Sequence, residues 1–238
     1  MPSTFPEQMF HEFRQRAASL FPSVQHKMDS LERDQFVRSS QATGYRYRTC
    51  VECNEEFKTL LKNAPERWRQ LNDDPDYAYS VERCLYTFFL NSVSVFESLV
   101  YCLYFVGSRI RAADFPDVQR PRKINLDSTG QAFTIAFPQE PITARLTSLP
   151  QNAEFKKLEL ARNILAHRVS GMRSMRIYST LDRDEGSTST TREEAWYVPG
   201  QDEMNFDGKL VQQHLDWLSS TLAALIGASR DFVTGRKP

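Results

Sequence analysis

The chain predicts an all-α fold, a helical bundle with short β-hairpin insertions, and three observations carry that expectation. Residues 84–106 form a 23-residue run that is apolar on most sides, as a helix packed on several neighbours must be. Apolar residues recur at three- and four-residue intervals in 5–20, 45–62 and 210–225, the period that puts them on one helical face. Composition is that of an ordinary globular chain, with 40% hydrophobic and 25% charged residues among 238, enough for one domain with a sizeable core.

Taken in order, 5–20 places Phe10, Phe13, Ala17 and Leu20 on one face. A second helix is expected over 45–62, followed by a loop through Pro65 and the Asn72-Asp73-Asp74-Pro75 turn. Pro75 suits the first turn of the long helix, since its missing N–H would be unpaired there anyway. That helix is expected to end between Gly107 and Ala113. Its length invites a membrane-spanning reading, yet Asn91, Ser94 and Ser98 line one seam with Glu97 and Tyr101 on its flank. A carboxylate in mid-span costs about 2.5–3.5 kcal/mol on insertion scales. The central helix of a soluble bundle, with no membrane partner, is therefore the expectation.

Residues 115–150 hold five prolines and read as an insertion, with a short hairpin expected around 133–137, where Ala132-Phe133-Thr134-Ile135-Ala136-Phe137 partly alternates. A second insertion, 172–204, is expected as a hairpin whose strands, around 175–179 and 194–198, flank a Ser/Thr-rich tip at 186–191. A last helix should start at Asn205 or Asp207 and run to about Phe232, with Leu210, His214, Trp217, Leu218, Leu222 and Leu225 on its apolar face. His214 there is expected to be a packed histidine. The expected domain is single and covers 1–238, interrupted by these two insertions.

Chemistry concentrates in Arg162-Asn163-Ile164-Leu165-Ala166-His167. Arginine stays charged at any working pH, and histidine can take or give a proton near neutrality. At about 100° per residue, Phe155, Leu158, Leu165 and Val169 fall within a sector of roughly 80°. Arg162 lies inside that sector. Asn163 and His167, four apart, share a different face with Lys156 close by. The guanidinium thus emerges from the packed side and must either curl toward the open face or find a buried carboxylate, for which Glu97 on the preceding long helix is the candidate.

The stretch from Leu158 to Arg168 resembles the Arg-x4-6-His signature of the HEPN (higher eukaryotes and prokaryotes nucleotide-binding) superfamily, with Asn directly after the Arg. The resemblance covers the motif helix and the long helix before it. It implies a helical bundle, a homodimer, and metal-independent endoribonuclease activity of the toxin, phage-defence or RNA-processing kind. It would make Arg162 and His167 the catalytic pair, with Asn163 and Glu97 supporting. Some toxin members carry Tyr two residues after the His, where this chain has Val169. RNA is the implied partner, with no metal or other cofactor, and Lys156 and Arg168 are candidate phosphate contacts beside the pair. The rival reading is a non-catalytic helical binding or assembly module.

Charge bears on both. Net charge is zero, so there is no overall basic excess to draw in a polyanion. Locally, Lys156, Lys157, Arg162, Arg168, Arg173 and Arg176 face only Glu159 across 156–176, whereas 182–207 is acidic. Cys50-x-x-Cys53 has no second CxxC or histidine pair to complete a zinc site, so Cys50, Cys53, Cys84 and Cys102 are expected as packed thiols. The N-terminus lacks a basic region followed by an apolar core, and a cytoplasmic setting is expected. An antitoxin partner is not legible in the chain.

Overall fold

Helix α3 (Pro75–Ile110) is the rod around which the other elements are arranged. Val93, Val95, Phe96, Leu99, Cys102 and Phe105 are all fully buried, although together they point in most directions around its axis. Such a helix must be covered on nearly every side. By length and mean hydropathy (1.5) it could cross a membrane, but 72% of its most apolar window is buried by its neighbours, the condition of a core helix in a soluble bundle.

The computed structural model describes residues 5–21, 27–68, 75–167, 172–182, 187–197 and 205–236. Before α3 come α1 (Glu7–Ser19) and α2 (Lys27–Trp68). After it follow short 3-10 turns, α4 (Leu126–Ala136), α5 (Pro141–Ser148), α6 (Ala153–His167), a small sheet and α7 (Gly208–Val233). The body of the chain is helical, as expected. The described strands β1 (Met172–Asp182), β2 (Ser187–Tyr197) and β3 (Asn205–Phe206) form one antiparallel sheet in that order.

Helix α2 runs antiparallel along α3, as its cross-contacts show in sequence: Glu32 with Arg109 at 3.4 Å, Gln35 with Tyr101 at 3.0 Å, Arg46 with the Ser94 carbonyl at 3.0 Å, and Glu56 with Arg83. At 42 residues it is far longer than the 45–62 that periodicity predicts. The reason lies in Ser39, Ser40 and Thr43, which are buried on its packed face. Each hydroxyl donates to a carbonyl three or four residues back in the same helix, at 2.6–3.0 Å, so the polar face satisfies itself. That face does not read as apolar, although it packs as if it were.

The hairpin expected at 133–137 is a helix instead. Asn125 caps α4 by accepting from the Ser128 N–H at 2.9 Å, while the Ser128 hydroxyl accepts from the Asn125 N–H at 2.9 Å. This reciprocal box starts a helix, and Thr129, Ala132, Phe133 and Ala136 then bury one face. The brief alternation at 132–137 is a fragment of that 3.6-residue period. The prolines do not interrupt order either. Pro116, Pro121 and Pro141 each open a turn or helix, where the fixed φ is an advantage.

This segment also packs into the core. Phe115 meets Tyr104 of α3 at 5.0 Å between ring centroids and Phe133 at 5.6 Å, and Phe137 meets Phe232 of α7 at 4.9 Å. Arg236 lies over the Phe232 ring at 4.2 Å and pairs with Glu140, fastening the end of α7 to the start of α5. Phe206 of β3 is buried against Phe89 at 4.8 Å, which ties the sheet to α3. β1 and β2 pair from Met172↔Tyr197 to Asp182↔Ser187. Pairing runs through Thr188 to Thr191, the expected tip, because β-branched residues suit a strand. Residues 183–186 lie outside the described ones.

Two expectations follow from this packing. A Cβ on Gly107 would strike the Phe115 ring, and that ring is held by Tyr104 and Phe133. Gly107→Ala should therefore destabilise the fold by about 1–3 kcal/mol through overpacking, reversing the gain of up to ~1 kcal/mol that alanine brings to a helix; denaturant unfolding reads this directly. His214 is buried, packs edge-on to Phe89 at 5.7 Å, and has Glu154 at 3.6 Å from Nδ1, beyond hydrogen-bond range. Burial holds its pKa below the usual histidine value, against the pull of Glu154 and with a lesser push from Lys157. The folded state thus prefers neutral imidazole, and this contribution is complete above the unfolded pKa of ~6.5 and fades as pH falls below it. The melting temperature should drop from pH 7 to pH 5, and His214→Leu should flatten that part of the profile.

Candidate functional site

Helix α6 is carried to α3 by its apolar face. Phe155, Leu158, Ala161 and Ile164 are buried, with Phe155 edge-on to Phe96 of α3 at 5.7 Å. Leu165 is half-buried. Ile164 widens the packed face beyond the sector expected for it. Asn152 starts the helix, its side-chain oxygen accepting from the Glu154 N–H at 2.9 Å.

Arg162 projects from the packed side and meets Glu97, the carboxylate that was its candidate partner. Its Nη1 donates to Glu97 Oε1 at 3.0 Å and its Nε to Asn163 Oδ1 at 3.2 Å. The Arg162 side chain is 22% exposed and that of Glu97 49%. Ser94 donates to the other Glu97 oxygen at 3.3 Å. The guanidinium is thereby held from two sides at the seam between α3 and α6. An ion pair this exposed adds little stability; its effect is on orientation.

The sequence-predicted residues are distributed as follows. Arg162, Asn163 and Glu97 come together. Lys156 is exposed two turns earlier on α6, on the face it shares with Asn163. His167 is the last residue of α6, so its backbone lies one turn beyond Asn163; its side chain, and all of Arg168 and Val169, lie outside the described residues.

Beside the Arg162–Glu97 pair opens a cleft of about 670 Å³, within the usual range for ligand sites. Helix α2 supplies Gln35, Arg38 and Arg46, α3 supplies Glu97, Ser98 and Tyr101, and α6 supplies Phe155 and Glu159. Asn125 and Asp127 at the start of α4 close it. The polar seam of α3 is accounted for here. Arg46 donates to the Ser94 carbonyl and to the Ser98 hydroxyl, and the Tyr101 hydroxyl donates to Gln35 Oε1. The seam faces α2 and the cleft, and Arg46, Glu159 and Asp127 are site residues that sequence reasoning did not select. Glu159, three residues before Arg162, could have been found by extending the motif backward one turn. Arg46 and Asp127 carry no local signal.

Burial raises the Glu159 carboxyl above its usual pKa, Arg162 opposes this, Glu97 and Asp127 reinforce it, and Lys156 opposes it weakly. Among the described residues, Glu159 makes no hydrogen bond or ion pair. The four cysteines are free and buried. Burial pushes the Cys50 and Cys84 thiols up to about 12 and also raises Cys53 and Cys102, which keeps them protonated and unreactive near neutrality. Among the described residues no group of three or more His, Cys, Asp or Glu is placed to hold a metal ion.

No protein-family model, curated protein or solved structure matches this chain.

The charge coupling at the seam is measurable. In a carbon-detected carboxyl titration, Arg162→Ala should move the Glu159 pKa further up and Glu97→Gln should move it down. Shifts of opposite sign would mean that these groups do not face one another in solution.

Proposed function

We propose that this protein is a metal-independent endoribonuclease of the HEPN type, cleaving single-stranded RNA by attack of the ribose 2′-hydroxyl. The observation that carries the reading is the Arg162 guanidinium, anchored by Glu97 and by Asn163 on the helix that ends in His167. A fixed cation that keeps partial exposure is suited to the charge that builds on phosphoryl oxygens in a transition state. His167 would serve as general base or acid toward the 2′-hydroxyl or the leaving 5′-oxygen. Lys156 and Arg168 would add phosphate contacts.

One imidazole per chain does not readily act as acid and base in a single step. Two copies with the ends of their α6 helices apposed would supply both, so the active form on this reading is a homodimer. The reading further places the protein in the cytoplasm, in a defence or toxin-like role. A non-catalytic binding or assembly module has one specific observation in its favour: Arg162 already directs donors to Glu97 and Asn163, as a purely structural arginine would.

The test is incubation of end-labelled single-stranded RNA with wild type, Arg162→Ala and His167→Ala in EDTA. Wild type should cleave and leave 2′,3′-cyclic phosphate and 5′-hydroxyl ends, while each variant should lose roughly 100-fold or more in rate. Abolition of wild-type cleavage by the chelator, or equal behaviour of all three proteins, would end the nuclease reading; RNA binding without cleavage would favour the module.

A further inference from the structure

Resting on the site just proposed, we infer that Ser94 is a positioning residue for Arg162: its hydroxyl fixes the Glu97 carboxylate, which in turn sets the direction of the guanidinium nitrogen left for a phosphate. A guanidinium is planar and rigid, so holding two of its three nitrogens decides where the third points. Nη1 is held by Glu97 Oε1 at 3.0 Å and Nε by Asn163 Oδ1 at 3.2 Å. Nη2 has no partner among the described residues and is free to donate to a phosphoryl oxygen. Asn163 is the next residue of the same helix and moves with α6. Glu97 is therefore the anchor that refers Arg162 to the rest of the fold.

That anchor needs support of its own. The Glu97 side chain is 49% exposed, and the last torsion of a glutamate is broad, so a carboxylate held at one oxygen can swing. Ser94 holds the other oxygen, donating to Oε2 at 3.3 Å. This is not how the remaining serines of α3 behave. Helical hydroxyls ordinarily donate back to a carbonyl three or four residues earlier, and Ser80, Ser92, Ser98 and Ser108 all do so at 2.7–2.8 Å. Ser94 gives its proton to Glu97 instead.

The turn beneath is secured from α2. The Ser94 carbonyl accepts from Arg46 Nη1 at 3.0 Å and from the Ser98 hydroxyl at 2.8 Å, and Arg46 also donates to that hydroxyl. Ser94, Glu97 and Ser98, three and four residues apart, are neighbours on the surface of α3. Arg46 is half-buried and pairs with no carboxylate among the described residues, so its donors go to this one turn. Hydrogen bonds thus run from Arg46 on α2, through Ser94 and Glu97 on α3, to the cation on α6.

Nitrogen NMR of the arginine side chains in the full chain reads this arrangement. Rotation of the Arg162 guanidinium, its signal assigned by its loss in Arg162→Lys, should be slow beside that of the exposed Arg145. Ser94→Ala should speed it toward the Arg145 rate, and Ser94→Thr, which keeps the hydroxyl, should restore it. Alanine is the better helix former, so the first variant should fold. In the RNA cleavage assay Ser94→Ala should lower kcat about fivefold, the usual worth of one hydrogen bond, and leave KM unchanged, because Nη2 answers charge that builds in the transition state. Placed on top of Glu97→Ala, the same change should cost nothing further, since Ser94 acts only through Glu97. Unchanged rotation in Ser94→Ala, an effect on KM alone, or a loss that adds to that of Glu97→Ala would overturn the assignment. Rotation is measured without substrate, so the two readings fail separately. Faster rotation in Ser94→Ala of a protein whose wild type cleaves nothing would end the nuclease and leave the anchoring of Arg162 in place, whereas cleavage with rotation indifferent to Ser94 would keep the nuclease and remove Ser94 from it.

Discussion

The demand of α3 to be covered on almost every side governs this structure. Water cannot remain against a helix whose apolar residues face all round, and each large side chain withdrawn contributes about 1.5–3 kcal/mol. One neighbour covers only a stripe. Helix α2 therefore accompanies α3 along most of its length, α6, α4 and α7 take the remaining flanks, and Phe115 closes the gap at Gly107. The polar residues on α3 are tolerated only where something answers them, and Arg46 and Gln35 do so from α2.

The candidate site is a consequence of that arrangement. Because Phe155 and Leu158 seat α6 on α3, Arg162 is brought to Glu97 without either residue having to drive the packing. Partly exposed, the pair contributes orientation more than stability. The cleft lies between α2 and α6 on α3 and is closed by the capped start of α4. Its lining thus comes from four elements far apart in the chain. The carboxylates it gathers, Glu97, Asp127 and Glu159, are brought together by packing.

Elements were legible where hydrophobic period and start signals agreed. Pro75 at the head of α3, Asp207 capping α7 with a 2.6 Å bond to the Leu210 N–H, and the Phe10, Phe13, Ala17 face of α1 were all readable. The first half of α2 was not, because Ser39, Ser40 and Thr43 bury hydroxyls that bond back into their own helix and so look polar. Residues 132–137 misled for the opposite reason, since a few alternating residues imitate a strand when the Asn125–Ser128 box that starts the helix goes unnoticed. The Arg162–Glu97 pairing was legible as one of two outcomes, because an arginine within an apolar sector must either curl toward the open face or find a carboxylate on the helix packed there, and the long helix offers Glu97.

Sequence alone determined the helical character of the chain, the central place of α3 and the coexistence of Arg162, Asn163 and His167 on one helix, since these follow from spacing along a single segment. Only the tertiary structure decided that Arg46 answers the seam of α3, that Asp127 and Glu159 meet across a cleft, and that Phe115, Phe137 and Phe232 belong to one core. Contacts of that kind depend on how separate helices are pressed together by the burial of α3. No local pattern encodes a neighbour a hundred residues away.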